Sequence, residues 1–520
     1  MKTKVLALAI ALFSFITYSQ TTSVPDINFE NYLETHDANG NVVSVGDPTS
    51  MGDGINGNGF VLTSRITGVT TLNVSSKGIT DLTGIQAFTA LETLHCYSNV
   101  QLQTLNVFNN IALTEIRSYN CDITSLTLPN NNILQYLSIG NNNLSGLDVS
   151  AYPLLSYLSC SNNFGNSIGN LDLSSNPNLI TLWCQNAGIT NLDISQCWNL
   201  DLLVCYDNTL SSLDLSANTA LREIRCYSSG INTLTFNNSN YNSLLYLDCS
   251  DNPIGSLDVS VFPNLETLYC ASNNLNTIDV SNLTSLIDFG LWDNNLTSLN
   301  LSNNASLEYV EPGSNTNLSN LTLPNNKTSL TQLWAYDMNL SSLNYAEYTQ
   351  LKYLDIGINN FTSADVSMLP NLIEFYCNQN QLTSLNIANG NIDGLSWMWC
   401  HDNPGGLCIQ VDDLAKASSK SSPNWQRDPG STFSTNCGLG LDEFSDESVS
   451  IYPNPSKDKF YIYLQLETNY TLSNVFGQKV KKGFLNSGKN ELDTESLSSG
   501  LYVLNLESAN GKTTKKIIKE

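Results

Sequence analysis

The chain has 520 residues, of which 41% are hydrophobic and only 13% are charged, and its formal net charge is −25. The charge is uneven, because residues 21–440 hold 36 of the 47 Asp and Glu residues but only 10 of the 22 Lys and Arg residues. A surface this acidic repels the phosphates of nucleic acid, so we expect no nucleic-acid partner.

Residues 1–20 are predicted to be a secretory signal peptide. Lys2 and Lys4 precede an apolar run at 5–16, and the segment ends in small and polar residues. The run is too short to cross a bilayer as a helix, and no later segment is apolar enough to do so. An N-terminal strand is the alternative interpretation. The sequence therefore predicts export without a transmembrane segment.

From Val69 to His401 the sequence repeats about every 21 residues, as the stretch LETLYCASNNLNTIDV at 265–280 illustrates. A period in this range indicates a solenoid, whose units bury their apolar sides only against one another. Residues 69–403 hold about sixteen units of 21–24 residues. If the first Leu of a unit is position 0, apolar residues fall at 0, +3, +5, +10, +13 and +15. The stretch from +2 to +6 alternates like a β-strand, and no unit has the length or pattern of a helix.

Position +8 is usually Asn. The chain must turn there while its backbone stays buried against the next coil, and an amide can both donate to and accept from the backbone groups left open. We therefore predict a structural ladder of Asn side chains. Its members are Asn99, Asn142, Asn163, Asn208, Asn252, Asn273, Asn294, Asn315, Asn359, Asn380 and Asn403.

The phrase L-x-x-L-x-C/L-x-x-N-x-L-x-x-L resembles the leucine-rich repeat, in the variety found in bacterial surface proteins such as internalins and the surface repeat proteins of Bacteroidetes. The resemblance implies a parallel β-sheet on the concave side of a solenoid, a mostly extended or irregular convex side, and few helices. It also implies an N-terminal cap at 21–68, in which a short helix covers the first coil with Phe29 and Leu33. Residues 404–438 are similar to the C-terminal closing segment of such proteins.

Nine of the 13 cysteines occupy position +5, which points into the core. One inward thiol per coil does not converge as metal ligands do, so we interpret them as a column of small buried hydrophobic residues. Cys121 replaces Asn at +8. Cys408 and Cys437 flank the closing segment and are predicted to form a disulfide. The nine are Cys96, Cys160, Cys184, Cys205, Cys226, Cys249, Cys270, Cys377 and Cys400.

An acidic linker at 439–450 precedes a different kind of sequence. Short alternating stretches separated by Gly and Asn turns predict a small β-sandwich at 451–520. The phrases IYPNP, VFGQKV, LSSGLY and KKIIKE resemble the type A C-terminal sorting domain of the type IX secretion system, which exports proteins across the outer membrane of Bacteroidetes. The resemblance implies that residues 451–520 engage the secretion machinery and are removed during export to the surface or medium. An ordinary adhesive β-domain is the alternative.

The sequence contains no pattern typical of an enzyme. Its three His residues are not in a metal-binding spacing, and no G-x-S-x-G, P-loop or dinucleotide motif occurs. The segments 37–41 and 53–58 resemble calcium loops only faintly and are more simply polar turns. We therefore expect no catalysis, no cofactor and no bound metal.

Positions +2, +4 and +6 point outward from the parallel sheet, and these 48 positions hold 17 of the chain's 30 Trp and Tyr residues. Strand propensity and cross-strand packing are one explanation. That propensity would also favour Val and Ile, which are rare here, so we interpret the rings as a contact surface. The predicted ligand-binding residues are Trp183, Tyr206, Tyr227, Tyr269, Trp292, Trp334, Tyr336, Tyr353, Tyr376, Trp397 and Trp399.

Acids share this outward face, with Arg117 and Arg225 as its main bases. Rings and carboxylates together suit a sugar, because carboxylates accept hydroxyl hydrogen bonds and rings cover apolar sugar faces. They would equally suit a protein partner. The leading hypothesis is a secreted or surface-displayed, non-catalytic binding protein whose ligand lies along the aromatic concave face, densest near 334–399. A structural adhesin or spacer without a defined ligand is the alternative, and a repeat-scaffolded glycan hydrolase is a third possibility.

Overall fold

The computed structural model describes residues 20–163, 167–237, 241–437, 449–508 and 511–520. Residues 1–19 of the predicted signal peptide and 439–448 of the predicted linker lie outside the described residues.

Short parallel strands, one per coil, form a single open sheet along the solenoid, which we call the main sheet. Each strand pairs with those of the preceding and following coils, from Thr71–Asn73 at one end to Trp425–Gln426 at the other. The middle residue of almost every strand is a buried apolar side chain such as Leu94 or Leu268, and its neighbours are mostly half-buried. This is the alternation that the sequence predicts.

In the described part of the chain the main sheet has seventeen strands, one more than the units counted in the sequence. The extra strand is Trp425–Gln426 in the closing segment. The strands are Thr71–Asn73, Thr93–His95, Glu115–Arg117, Tyr136–Ser138, Tyr157–Ser159, Thr181–Trp183, Leu202–Val204, Glu223–Arg225, Tyr246–Asp248, Thr267–Tyr269, Asp288–Gly290, Tyr309–Glu311, Gln332–Trp334, Tyr353–Asp355, Glu374–Tyr376, Trp397–Trp399 and Trp425–Gln426.

Among the described residues, the opposite side of the coil is mostly extended or irregular, as expected, and carries short parallel ladders. The ladders are Thr104–Asn106 with Ser125–Thr127, Gly169–Asp172 with Ile189–Asp193, Ser212–Asp214 with Thr233–Thr235, Ser298–Asn300 with Asn320–Thr322, and a sheet of Ser363–Asp365, Ser384–Asn386, Cys408–Gln410 and Thr432–Ser434. The described helices are short: α1 at Ile27–Thr35, α2 at Thr63–Ile66, α3 at Leu414–Ser419, and a 3₁₀ turn at Ile85–Ala87.

The predicted Asn ladder is present, and all eleven side chains are buried. The amide of Asn252 donates to the carbonyl oxygens of Cys226 and Cys249, each at 3.0 Å. Its Oδ1 accepts the N–H groups of Ser229 and Ile231 at 3.1 and 2.8 Å. One side chain thus satisfies the backbone of its own turn and of the preceding coil, which a buried turn requires.

A second buried ladder was not predicted. It lies three residues before the first Leu of a unit, and Asn218 there donates to the carbonyl oxygens of Ile194 and Cys197 at 3.1 and 2.8 Å. Cys197, the one cysteine that the sequence analysis left unassigned, takes the same position in the preceding coil. The recurrence of Asn at this spacing was a signal that the sequence contained. The Asn members are Asn110, Asn176, Asn218 and Asn304.

Both ends of the solenoid are covered. In α1, Asp26 caps the helix by accepting the N–H groups of Asn28 and Phe29. Phe29 and Leu33 are fully buried, as predicted, and the Phe29 ring lies 6.3 Å from that of Phe88. These contacts close the N-terminal end, since an exposed apolar coil needs an atypical cap.

Carboxylates of α1 hold the turn at 53–58. Glu30 Oε1 accepts the N–H groups of Gly57, Asn58 and Gly59 at 2.9 to 3.0 Å. Glu34 accepts those of Asp53 and Gly54. The segment is a polar turn filled by the protein's own groups.

At the other end of the solenoid, Cys408 and Cys437 are joined by a disulfide with a Cα–Cα distance of 5.7 Å. The closing segment also contains α3 and the last strands of both sides of the coil.

The C-terminal residues form two antiparallel sheets with a core of their own, consistent with the predicted sandwich. Buried side chains such as Phe460, Leu472 and Leu504 fill that core. One sheet contains Val449–Tyr452, Lys459–Leu464 and Gly488–Asp493, and the other contains Thr468–Asn474, Lys479–Leu485, Gly500–Ser508 and Gly511–Lys519.

Candidate ligand-binding face

All eleven predicted ligand-binding aromatic residues lie on the outward side of the main sheet or at the turn that follows it. Each is neither fully exposed nor fully buried. They do not form one uniform surface, however, because their ring-to-ring distances differ along the solenoid.

In the N-terminal half of the sheet, tyrosines of neighbouring coils stack on one another. The rings of Tyr206 and Tyr227 are 4.2 Å apart and 10° from parallel. Tyr136 and Tyr157 form a similar pair at 4.1 Å. Rings in such close contact cover each other's faces and stabilise the sheet, so these tyrosines fit the strand-packing explanation.

The two arginines of this face are already engaged. Arg117 Nε lies 2.6 Å from Glu115 Oε1, and its guanidinium is 4.6 Å from the centre of the Tyr136 ring. Arg225 repeats the arrangement with Glu223 at 2.5 Å and with Tyr246 at 4.7 Å. Both cations are therefore paired with an acid and a ring of the protein.

Near the C-terminal end, the same face contains a cavity of about 330 Å³, which we call the ring pocket. Four rings line it: Trp334, Tyr336, Tyr376 and Trp399. Strand register places Trp334, Asp355, Tyr376 and Trp399 in one row across four adjacent strands. The pocket thus brings together four of the predicted aromatic residues around a carboxylate.

The pocket exists because short residues lie between large ones. Asp355 is flanked in register by Trp334 and Tyr376, and in the next row Gly357 follows Tyr336. Adjacent strands are about 4.8 Å apart, so a short side chain between two rings leaves space above it. Trp399 meets Tyr376 edge-on at 5.1 Å.

The closing segment supports the end of the ring pocket. The indole N–H of Trp399 donates to the carbonyl oxygen of Pro423 at 3.2 Å. The rim beside it carries a conformationally unusual residue, because Ile358 has a φ of 52° and is 41% exposed. The left-handed region is unfavourable for a β-branched side chain. In the other described coils the same turn residue is Ser, Asn, Asp or Gln.

Asp355 is the electrostatic centre of the ring pocket. Its Oδ1 accepts the N–H of Gly357 at 2.7 Å, and no Lys, Arg or His among the described residues forms an ion pair with it. Burial, and after it the nearby charge of Glu311, raise its pKa to about 7 against the opposing hydrogen bond from Gly357. Partial burial without a cation partner disfavours the charged form of a carboxylate.

The tyrosine hydroxyls beside the pocket are directed at other carboxylates. Tyr336 donates to Glu311 Oε1 at 3.3 Å, and Tyr376 donates to Glu374 Oε2 at 2.8 Å. Burial raises the pKa of Tyr336 to about 12, and Glu311 adds to the shift. These hydroxyls therefore remain protonated donors at neutral pH.

Two glycines leave the space that neighbouring rings occupy. A Cβ added to Gly313 would lie 2.5 Å from Cε1 of Tyr336, and one added to Gly290 would lie 2.5 Å from Cδ1 of Tyr269. Such distances are too short for any side chain. The sequence analysis missed these glycines, together with Gly357 and Ile358. The available signal was a small residue at +4 or +6 beside an aromatic residue of the adjoining unit.

The cysteine column lies on the core side of the sheet, not on this face, and all nine members are buried. Burial raises the pKa of Cys160, Cys205 and Cys400 to about 12. A buried thiol of this kind is neither a nucleophile nor a metal ligand at neutral pH.

Within the described ranges, no group of three or more His, Cys, Asp and Glu side chains is placed to hold a metal ion. Among the same residues, the helices are all too short or too polar to cross a membrane.

Comparison with known proteins gives separate results for the C-terminal residues and for the solenoid. Residues 450–520 match the family described as the secretion system C-terminal sorting domain. No curated protein matches the chain.

Three solved structures are similar to the chain to different degrees. The functional domain of InlJ from Listeria monocytogenes, described as including a cysteine ladder, has a TM-score of 0.60 and 23% identity over 96% of this chain and 99% of its own. The internalin InlF of the same species has a TM-score of 0.43 and 18% identity, covering 78% of this chain and 96% of its own. YopM from Yersinia enterocolitica has a TM-score of 0.48 and 21% identity, covering 66% and 83%. At these identities, the InlJ likeness shows the fold alone.

Proposed function

We propose that the chain is an exported, non-catalytic binding protein, built as a leucine-rich-repeat solenoid with a secretion system C-terminal sorting domain at 450–520. Its ligand lies on the outward face of the main sheet, at the ring pocket. Residues 451–520 engage the type IX secretion machinery, and the source is a Bacteroidetes bacterium.

The observation that carries this proposal is the contrast between the two halves of the sheet. Rings such as Tyr206 and Tyr227 cover each other at 4.2 Å, whereas Trp334 and Tyr376 are 6.3 Å apart and border an open cavity. Ring faces next to a cavity offer apolar contact area together with polar tips, which is the composition of binding hot spots.

Binding of the exported chain to glycan and protein arrays tests the proposal. The double variant Trp334→Ala, Trp399→Ala removes two walls of the pocket, and we expect affinity for the identified ligand to fall at least about tenfold. Trp198→Ala is the matched control, because Trp198 is 53% exposed and lies off the main sheet. If the double variant and the control bind equally well, the ligand does not use the ring pocket.

A structural spacer or adhesin without a defined ligand is the competing function. The stacked pairs Tyr97–Tyr119 and Tyr136–Tyr157, at 4.6 and 4.1 Å, favour it for the N-terminal half, since those rings serve the sheet. It predicts that no array ligand is found and that the double variant still supports normal adhesion of cells that display the protein.

A further inference from the structure

The charged residues that we describe in and beside the ring pocket are acidic. Asp355 lies in the pocket, and Glu311 and Glu374 hold the hydroxyls of two ring residues. The described residues that line the pocket include no Lys or Arg. The face's main bases, Arg117 and Arg225, are in distant coils and are each paired with an acid.

Besides the two indoles, the polar side chains that line the ring pocket are those of Tyr336, Asp355, Tyr376 and Asn378. The hydroxyls of Tyr336 and Tyr376 already donate to carboxylates of the protein. Asp355 has one backbone donor, Gly357, and its remaining acceptor capacity needs a donor from outside. An ammonium or guanidinium group supplies that donor together with the missing positive charge.

We propose that the ring pocket binds a Lys or Arg side chain of a basic protein partner, with the alkyl stem against the rings of Trp334 and Tyr376 and the cationic head at Asp355. This proposal rests on the binding function proposed above. Ring faces attract cations through their quadrupole, and the attraction is strongest where water is excluded. A cation at the Asp355 carboxylate adds a charge-assisted hydrogen bond.

The rest of the molecule favours the same class of partner. Residues 21–440 carry 36 acids against 10 bases, so a basic polypeptide is drawn to the solenoid before contact. Burial without a cation has raised the pKa of Asp355, and an occupying cation would reverse that shift.

The probe is a Gly/Ser peptide with lysine side chains, compared with the same peptide in which norleucine replaces lysine. Norleucine keeps an unbranched alkyl chain and lacks the ammonium. Isothermal titration against the exported chain should show the lysine peptide binding at least about tenfold more tightly, with affinity falling as salt rises. Asp355→Asn should reduce binding of the lysine peptide about tenfold and leave the norleucine peptide unchanged, whereas Trp198→Ala should alter neither.

Equal binding of the two peptides would overturn the proposal, and this comparison needs no variant. Unchanged affinity in Asp355→Asn, with folding verified by circular dichroism, would overturn it as well. If an array glycan binds in a way that depends on Trp334 and the lysine peptide does not compete, the binding function stands and the basic partner is wrong. If neither an array ligand nor either peptide binds, both proposals fail.

Discussion

Trp334 and Tyr376 lie two coils apart, yet their rings approach to 6.3 Å with 26° between their planes. The residue in register between them is Asp355, whose side chain is too short to separate them. Two aromatic rings thus border one half-buried carboxylate. The arrangement has consequences for stability that can be measured without knowing the ligand.

Asp355 is expected to make the surrounding coils less stable as the pH rises. Its pKa is raised from 3.8 to about 7 by burial, so between these values the folded chain retains a proton that the unfolded chain releases. Stability therefore falls from about pH 4 to pH 7. Asp355→Asn should be more stable than the native chain at pH 8, by up to about 4 kcal/mol, and similar to it at pH 4.

Hydrogen exchange of the amides in Tyr353–Asp355 at the two pH values would measure this effect locally. The other titratable groups that face Asp355 are Glu311, Tyr336, Tyr376 and Cys377. Asp258→Asn is a control of opposite sign, since a hydrogen bond from Ser260 lowers the pKa of that exposed carboxyl. A stability difference for Asp355→Asn that does not vary with pH would contradict the explanation.

The fold could be predicted from the sequence because each repeat position has one dominant physical task. Leu and Cys at +3 and +5 face inward, and Asn at +8 must form hydrogen bonds with the backbone of a buried turn. Buried residues such as Leu268, Cys270 and Asn273 can therefore be recognised because the same residue types recur at these positions. The solenoid and the Asn ladder are confirmed. The closing coil lacks this phrase, which is why Trp425–Gln426 was not counted as a strand.

The ring pocket could be predicted only in part, because it depends on differences between neighbouring units. Trp334, Tyr336, Tyr376 and Trp399 were identified as outward residues, but so were stacked residues such as Tyr206. Separating the two groups requires ring-to-ring distances, which follow from small residues in the adjoining coil. The repeat pattern does not contain that information, because it describes what the units share and not how neighbouring units differ.

The Asn ladder should be costly to interrupt. Asn252→Ala removes the acceptor for Ser229 and Ile231 and the donor for Cys226 and Cys249, leaving buried backbone groups without partners. We expect a loss of about 2 to 5 kcal/mol in the free energy of unfolding. Urea denaturation monitored by circular dichroism would measure it.

The matched control for that variant is Asn264→Ala. Asn264 is exposed and makes one hydrogen bond, to the carbonyl oxygen of Asn242 at 2.9 Å, so its loss should cost less than about 1 kcal/mol. Similar costs for the two substitutions would show that the ladder does not stabilise the turns.

The free thiols of the folded protein should be almost unreactive. Ten of the eleven free cysteines are buried, and burial raises the pKa of members such as Cys160 and Cys205 to about 12. Titration with a disulfide reagent at pH 8 should label at most the half-buried Cys121 in the folded chain. After denaturation it should label eleven thiols, and thirteen once the bond between Cys408 and Cys437 is also reduced. Rapid labelling of several thiols before denaturation would exclude a closed core.

Gly313, which lies against the Tyr336 ring, allows a test that separates an effect on binding from an effect on folding. In Gly313→Ala the added Cβ would lie 2.5 Å from Cε1 of Tyr336. The ring must therefore move, and its hydroxyl loses the hydrogen bond to Glu311. We expect binding of the lysine peptide to weaken about tenfold with a much smaller change in the urea midpoint, since a displaced half-buried ring leaves the core intact. Gly405→Ala is the control, because a Cβ there meets no atom within 4 Å. If Gly313→Ala binds as well as Gly405→Ala does, the Tyr336 wall takes no part in recognition, and the partner's side chain must be held by Trp334, Tyr376 and Trp399 alone.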